Sequence, residues 1–319
     1  MKSAAKTGIF FAVLAAALYA INSPFSKLLL GYMPPTLMAG FLYVGAGIGM
    51  GVVALARRAA KAAPKEEGLS RAELPYTVGM IVLDIAAPVC LMYGLQTVSA
   101  ASASLLNYFV IVATAVIALA VFKEKISPRL WAGILAVTLA CALLSVEDIS
   151  ELRFSVGSLL VLLAAVFWGL ENNCTRKISS KDPMQIVLLK GVFSGAGSLV
   201  IGFCIGERIT VWWAMFAALG VGCVAYGLSI FFYVYAQRLL GAARTSAYYA
   251  VSPFIGTLLS LAIFRELPHY TYFIALAVMA AGAWLCAQDK PLFGRRGKNA
   301  EKDGEIQKED FEEKKELSQ

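Results

Sequence analysis

Long apolar stretches alternate with short polar connections along most of this chain. A helix needs about 20 apolar residues to cross the hydrocarbon core of a bilayer, and ten stretches approach that length. They cover residues 7–30, 35–56, 76–96, 99–122, 129–146, 155–175, 184–206, 211–236, 243–264 and 271–289. Prolines at 75, 128, 183 and 268 precede four of them, where a helix can begin. The pattern predicts an all-α polytopic membrane protein with ten transmembrane helices.

Composition supports a membrane protein and excludes several other classes. Hydrophobic residues make up 59% of the chain and charged residues 15%, whereas soluble domains hold about 45–50% and 25%. The apolar run from Gly8 to Leu30 exceeds the core of a signal peptide, so it is predicted to be a retained first helix. All six cysteines lie in apolar stretches and the chain has one histidine, so no metal and no cofactor are predicted.

Basic residues predict the orientation of the chain in the membrane. Of the 28 Lys and Arg residues, 23 fall on the side of the N-terminus, three fall on the opposite side, and two, Lys27 and Lys190, lie inside predicted helices. Basic connections stay in the cytoplasm, so both termini are predicted to be cytoplasmic. The net charge of +7 is explained by this bias, and no nucleic-acid partner is predicted. Short connections in a compact chain favour the bacterial cytoplasmic membrane.

The composition changes after Asp289. Residues 290–319 hold eight basic and eight acidic residues and few large apolar ones, which is typical of a disordered segment. A charged, disordered cytoplasmic tail is predicted.

The two halves of the apolar region resemble each other. Residues 14–27, LAAALYAINSPFSK, align with residues 163–176, LAAVFWGLENNCTR, at a shift of 149 that places Asn22 opposite Glu171. Residues 120–124, AVFKE, align with residues 262–266, AIFRE, at a shift of 142. Each half holds five predicted helices, an odd number, so the second copy is inverted in the bilayer. Inverted repeats are typical of secondary transporters, and the predicted domains are 1–147, 148–289 and the tail.

These motifs resemble the EamA-like branch of the drug/metabolite transporter superfamily. The resemblance rests on YAIN at residues 19–22, WGLEN at residues 168–172, and the corners Phe122–Ser127 and Phe264–Leu267. It covers residues 1–289. It implies two inverted five-helix repeats around a central cavity, and transport of metabolites, amino acids, nucleotide-linked sugars or drugs, often outward.

Three charges lie far from the ends of the predicted helices: Asp84, Glu171 and Lys190. At about 1.5 Å per residue, they lie roughly 13, 7–8 and 12 Å from the cytoplasmic ends of their helices. All three are therefore predicted to lie within reach of one another, with Lys190 paired to Glu171, Asp84 or both. Two roles remain open. The cluster is a structural ion pair, or Lys190 binds an anionic substrate while a carboxylate carries protons.

Other polar and aromatic residues inside the apolar stretches complete the predicted substrate pathway. With the three charges, the candidates are Tyr19, Asn22, Asn107, Trp168, Asn172, Tyr226, Tyr248 and Tyr249. Pro24 adds a kink beside Asn22. Aromatic residues also form interfacial belts and amides also hold helices together. Lys27 is a membrane anchor or a gate. The Gly45–Gly51 cluster packs within the monomer or forms a dimer face, so the predicted state is a monomer or a weak homodimer.

The favoured function is a secondary transporter, not an enzyme, that exports a small organic metabolite or amphipathic compound by alternating access. Protons are the candidate coupling ion. No GxxxxGK[ST] loop supports an ATP-driven pump, and no HExxH or clustered histidine supports an intramembrane enzyme. The alternative is a non-transporting membrane sensor or assembly protein that acts through its charged tail.

Overall fold

The fold is a bundle of membrane-length helices. The computed structural model describes residues 2–60, 67–122, 127–148, 153–178, 181–240, 248–249, 251–265 and 268–287. Within these ranges eight helical segments are long and apolar enough to cross a membrane, and Ser252–Phe264 and Tyr270–Leu285 are shorter apolar helices. The chain is a multi-pass helical membrane protein. Outside the described residues lie the predicted tail, residues 123–126 and 266–267 of the two corner motifs, and residues 243–247 and 250 of the ninth predicted helix.

The described helices follow the predicted stretches closely. They are α1 (Lys2–Ala20), α2 (Asn22–Leu29), α3 (Pro35–Ala59), α4 (Leu74–Thr97), α5 (Ala100–Leu106), α6 (Phe109–Phe122), α7 (Pro128–Ser145), α8 (Val156–Ile178), α9 (Pro183–Leu189), α10 (Gly195–Cys204), α11 (Trp212–Val221), α12 (Ser229–Leu240), α13 (Ser252–Phe264) and α14 (Tyr270–Ala287). A short 3₁₀ turn, Arg71–Glu73, precedes α4. The strands β1 (Val146–Asp148) and β2 (Arg153–Phe154) pair antiparallel between the two halves, a feature that the all-α prediction lacks.

Two predicted helices are broken in the middle. The first breaks at Ile21 between α1 and α2. Pro24 has no N–H to donate to the carbonyl four residues earlier, which weakens the helix there. The fourth breaks between α5 and α6, where Tyr108 N donates to Leu105 O at 2.9 Å and Val110 N donates to Asn107 O at 3.2 Å. These bonds span three residues, so the chain tightens locally into a 3₁₀-like turn.

Two other helices contain wide π-helical turns. Lys190–Ser194 joins α9 to α10, and Gly222–Leu228 joins α11 to α12. Hydrogen bonds tie both regions to neighbouring helices: Ser194 Oγ donates to Ile81 O at 3.3 Å, and Ser229 Oγ donates to Ala15 O at 2.9 Å. π-Helical turns are rare in proteins, and those that do occur are often found at functional sites.

Glycines let the backbone of α3 pack directly against the backbones of neighbouring helices. A Cβ added to Gly191 would lie 2.4 Å from Gly47 Cα, and one added to Gly45 would lie 2.1 Å from Leu219 O. A Cβ added to Gly222 would lie 2.0 Å from Leu42 O. The predicted close packing of the Gly45–Gly51 cluster within the monomer is therefore confirmed.

Gly222→Ala is expected to destabilise the protein by about 1–3 kcal/mol or more, because the added methyl group overlaps the backbone of α3. Gly220→Ala is the matched control, because a Cβ there meets no atom within 4 Å. Thermal unfolding in detergent is expected to show a lower midpoint for Gly222→Ala and an unchanged or raised midpoint for Gly220→Ala. Equal midpoints would contradict the packing of α3 described here.

Candidate functional site

Three charged side chains meet inside the bundle, and we name them the charge cluster: Asp84, Glu171 and Lys190. Lys190 Nζ lies 3.2 Å from Asp84 Oδ2 and also contacts Glu171 Oε1. Asp84 comes from α4, Glu171 from α8, and Lys190 begins the first π turn. The prediction that Lys190 pairs with Glu171, Asp84 or both is confirmed, and the structure shows both pairs. Whether the cluster binds a substrate stays a prediction at this point.

Two further side chains donate hydrogen bonds to the carboxylates. Tyr43 OH donates to Asp84 Oδ1 at 2.7 Å, and Thr175 Oγ1 donates to Glu171 Oε1. Neither residue was among the predicted site residues. Thr175 lies four residues after Glu171, on the same face of α8, so helical spacing could have indicated it. Tyr43 lies in a glycine-rich helix and carries no comparable signal.

The charge cluster is buried. Asp84 is 1% exposed, Glu171 3% and Lys190 7%. Isolated charges at this depth would be costly, and pairing offsets that cost only when the geometry is good. One ammonium faces two carboxylates, so the cluster carries one net negative charge when all three groups are ionised. A further cation or a proton would balance it.

Beside the charge cluster lie four rings that we name the tyrosine cluster: Tyr19, Tyr43, Tyr226 and Tyr249. The ring centroids of Tyr43 and Tyr226 are 5.1 Å apart, and those of Tyr19 and Tyr226 are 6.0 Å apart. Tyr249 lies 6.0 Å from Tyr19. Tyr43 belongs to this cluster and also donates to Asp84, so the two clusters are continuous.

Two amides donate hydrogen bonds to two of the four hydroxyl groups of the tyrosine cluster. Asn22 Nδ2 donates to Tyr226 OH at 3.2 Å, and Ser26 Oγ donates to Asn22 Oδ1 at 3.1 Å. Asn107 Nδ2 donates to Tyr19 OH at 3.1 Å. Asn107 is 7% exposed, and within the described part of the chain its Oδ1 accepts no hydrogen bond. A buried amide oxygen normally has a donor.

These polar residues coincide with the irregular points of their helices. Asn22 begins α2 directly after the first break, and Asn107 lies at the second. Lys190 and Tyr226 lie on the two π turns. Asp84 lies one turn before Pro88, which interrupts the hydrogen bonding of α4. Freed backbone groups and polar side chains therefore occur together, as at the discontinuous helices of transporters.

Three other predicted pathway residues have different surroundings. Trp168 is 8% exposed and packs in the apolar core. Asn172 is exposed, and its Nδ2 lies 3.4 Å from Thr114 Oγ1 on the neighbouring helix α6. Tyr248 is 37% exposed. Asn22, Asn107, Tyr19, Tyr226 and Tyr249 are brought together with the charges.

At one end of the bundle, two charged side chains cap helices. Glu207 Oε2 accepts from Leu37 N at 2.8 Å and Glu207 Oε1 accepts from Thr36 N at 3.2 Å, at the N-terminus of α3. Lys27 Nζ donates to Leu95 O, and to Val98 O at 2.9 Å, at the C-terminus of α4. A carboxylate suits a helix N-terminus and an ammonium a C-terminus. Lys27 therefore bonds protein carbonyls at the helix end.

A second set of contacts at helix ends involves the polar segment 57–73. Lys181 Nζ lies 2.9 Å from Glu67 Oε2 and 3.9 Å from Glu73 Oε1. Asp182 N donates to Glu67 O at 2.9 Å. The hydrogen bond from Lys181 lowers the pKa of Glu67. Any stability from this exposed pair is present above the ordinary pKa of glutamate and is lost as the pH falls.

Comparison with known proteins gives one family and one fold. A family model described as "EamA-like transporter family" matches residues 6–146 and 155–288. A solved structure described only as "Crystal structure of protein" aligns with a TM-score of 0.61 at 20% identity, and the alignment covers 92% of this chain and 97% of the other. At that identity the likeness shows the fold alone. No curated protein matches the chain.

Proposed function

Because the chain belongs to the EamA-like transporter family, whose members are transporters and not enzymes, we propose that it is a secondary transporter of a small organic solute. The solute is a metabolite or an amphipathic compound, and it moves outward by alternating access. It binds where the charge cluster meets the tyrosine cluster, and protons are the coupling ion.

One observation carries the proposal. Buried polar groups from several helices converge where those helices are broken or widened, at Asn22, Asn107, Lys190 and Tyr226. A purely structural bundle has no need for polar groups and irregular backbone at one place, since both are costly inside a membrane. A substrate site uses both, because freed backbone groups and side chains together supply directional contacts.

Helix packing supports an inverted repeat of five plus five helices, residues 1–147 and 148–289. In such a repeat α1–α2 corresponds to α8, α4 to α11–α12, α5–α6 to α13, and α7 to α14. Contacts between the two halves come in equivalent pairs. The contact of α4 with α8 is equivalent to that of α12 with α1, and the contact of α6 with α8 is equivalent to that of α13 with α1. The pairs α3–α10, α5–α13 and α7–α14 join equivalent helices.

Glycine contacts support the same symmetry at atomic detail. Gly47 lies against Gly191, its equivalent at a shift of 144. A Cβ added to Gly195 would meet Val44, and one added to Gly51 would meet Leu188. These two contacts are equivalent, because a shift of 144 places Gly51 at Gly195 and Val44 at Leu188. The central crossing of α3 with the Lys190 π turn is therefore expected to lie near the pseudo-twofold axis.

Contacts at the ends of helices are also equivalent in the two halves. The connection after α10 caps the start of α3 through Glu207, and the connection after α3 holds the start of α9 through Glu67. In an inverted repeat these two contacts lie at opposite faces of the membrane. We place both termini and the Glu67 contact on the cytoplasmic side of a bacterial cytoplasmic membrane, and we propose a monomer or a weak homodimer.

A ligand screen tests the proposal. Purified protein is heated with amino acids, nucleosides, sugars and amphipathic cations, and a solute that binds the folded state raises the unfolding midpoint. A hit is expected to lose binding in Asn22→Ala, which removes the buried amide beside Tyr226, and to keep it in Asn172→Ala, whose amide is exposed. Equal affinity in both variants would contradict the proposed location of the site.

A further inference from the structure

We infer that the transported solute carries a positive charge: an organic cation whose ammonium group binds where the charge cluster meets the tyrosine cluster. The inference rests on the proposed function, because it assigns the substrate class of the proposed site. The groups that recognise the cation come from α1–α2, α3, α4, the α5–α6 break and the second π turn.

The first ground is charge. Lys190 contacts both Asp84 and Glu171, so its ammonium is engaged by two carboxylates and offers little to an anionic substrate. The cluster still holds one carboxylate more than it holds ammonium groups. Inside a low-dielectric bundle such an excess attracts a cation more strongly than it would in water. An anionic substrate would add to the excess and is disfavoured.

The second ground is the aromatic surface beside that charge. Tyr43 donates to Asp84 Oδ1, and its ring lies 5.1 Å from that of Tyr226. Tyr226 is adjacent to Tyr19, and Tyr19 to Tyr249. The faces of tyrosine rings attract ammonium groups, most strongly where water is excluded, and clusters of such rings recognise quaternary ammonium ligands.

The third ground is an unused acceptor. Asn107 donates through Nδ2 to Tyr19 OH, which directs its carboxamide to the tyrosine cluster. Its Oδ1 is buried and accepts no hydrogen bond from the described residues. A protonated amine has only donors to offer, so an amine in the tyrosine cluster would satisfy this oxygen. A neutral apolar solute would leave it without a donor.

Pairs of ligands that are similar in shape and differ in charge test the inference directly. Choline and benzyltrimethylammonium are compared with their neutral carbon isosteres, in which carbon replaces the quaternary nitrogen, and primary amines with the corresponding alcohols. Ligand-dependent thermal stabilisation of the purified full-length protein gives the affinities. Each cation that binds is expected to bind at least about tenfold more tightly than its isostere, since cation–π attraction and one uncompensated charge both act only on the cation.

Variants separate a binding role from a structural one, because each is compared with its own ligand-free midpoint. Asp84→Asn removes the excess charge, and Tyr226→Leu removes a ring; both are expected to weaken cation binding at least about fivefold. Tyr226→Phe keeps the ring and is expected to stay within about threefold of the native protein. Glu67→Gln makes the same kind of change at an exposed surface position and serves as the control.

The outcomes distinguish this inference from the proposed function. Equal affinity for cations and isosteres, tighter binding of anions, or no binding of any cation would overturn the assignment of a cationic substrate. Unchanged cation affinity in Asp84→Asn and Tyr226→Leu would overturn the location. In each case the proposed transport activity, apart from the location of the site, still stands if vesicles containing the protein move a neutral or anionic solute, and it fails only if no solute moves.

Discussion

Lys190→Met is expected to destabilise the protein by about 3–5 kcal/mol, the cost of removing one partner from a buried ion pair. Asp84 and Glu171 would remain buried, with two like charges and no ammonium between them. Tyr43 and Thr175 each donate one hydrogen bond to a carboxylate, but neither supplies positive charge. The midpoint of unfolding by SDS in mixed micelles measures the loss.

Two companion variants show whether charge imbalance causes that loss. Lys190→Met combined with Asp84→Asn and Glu171→Gln removes all three charges, and it is expected to recover much of the stability because no uncompensated charge remains. Lys181→Met removes an ammonium that pairs with the largely exposed Glu67, so a much smaller loss is expected. If Lys190→Met unfolds like the native protein, the charge cluster contributes nothing to stability.

Asp84→Asn and Glu171→Gln are each expected to reduce solute movement driven by a pH gradient by about 5–150-fold, the usual range of coupling between two sites. Each variant leaves one carboxylate paired with Lys190, so it stays charge-balanced and folded. It lacks the second carboxylate that would take up or release a proton as the solute binds. A gradient can drive a transporter only through a group whose protonation differs between its states.

Proteoliposomes with an imposed pH gradient provide the measurement. Solute-for-solute exchange without a gradient serves as the internal reference, because exchange needs a binding site but no proton. Both variants should keep a larger fraction of the native exchange rate than of the native rate of gradient-driven uptake. Glu67→Gln should keep both rates. Gradient-driven uptake at native rates in both variants would show that protons do not pass through these carboxylates.

Much of the fold could be predicted because membrane helices obey simple length and composition rules. Every predicted stretch contains a described helix, and the proline positions mark several starts. The meeting of Asp84, Glu171 and Lys190 followed from counting residues, because the rise per residue of a helix is constant. The π turns could not be predicted, since they depend on how neighbouring helices pack and not on a local motif.

Helical phase explains the different positions of neighbouring residues in the predicted site. Glu171 and Asn172 are adjacent in sequence, but successive side chains on a helix point about 100° apart. Glu171 therefore lies inside the bundle while Asn172 is exposed beside Thr114. Tyr43 could not be predicted as a site residue, because an aromatic residue in an apolar stretch does not stand out from its neighbours. Its role depends on Asp84, which is distant in sequence.

Counterflow in proteoliposomes tests whether the charge and tyrosine clusters form the binding site of a transporter. Vesicles loaded with an unlabelled solute identified by the screen are placed in the labelled solute, without any ion gradient. Transient accumulation of label is expected for the native protein and for Asn172→Ala, and little or none for Asn22→Ala. Accumulation at native rates by Asn22→Ala, or none by the native protein, would contradict this expectation.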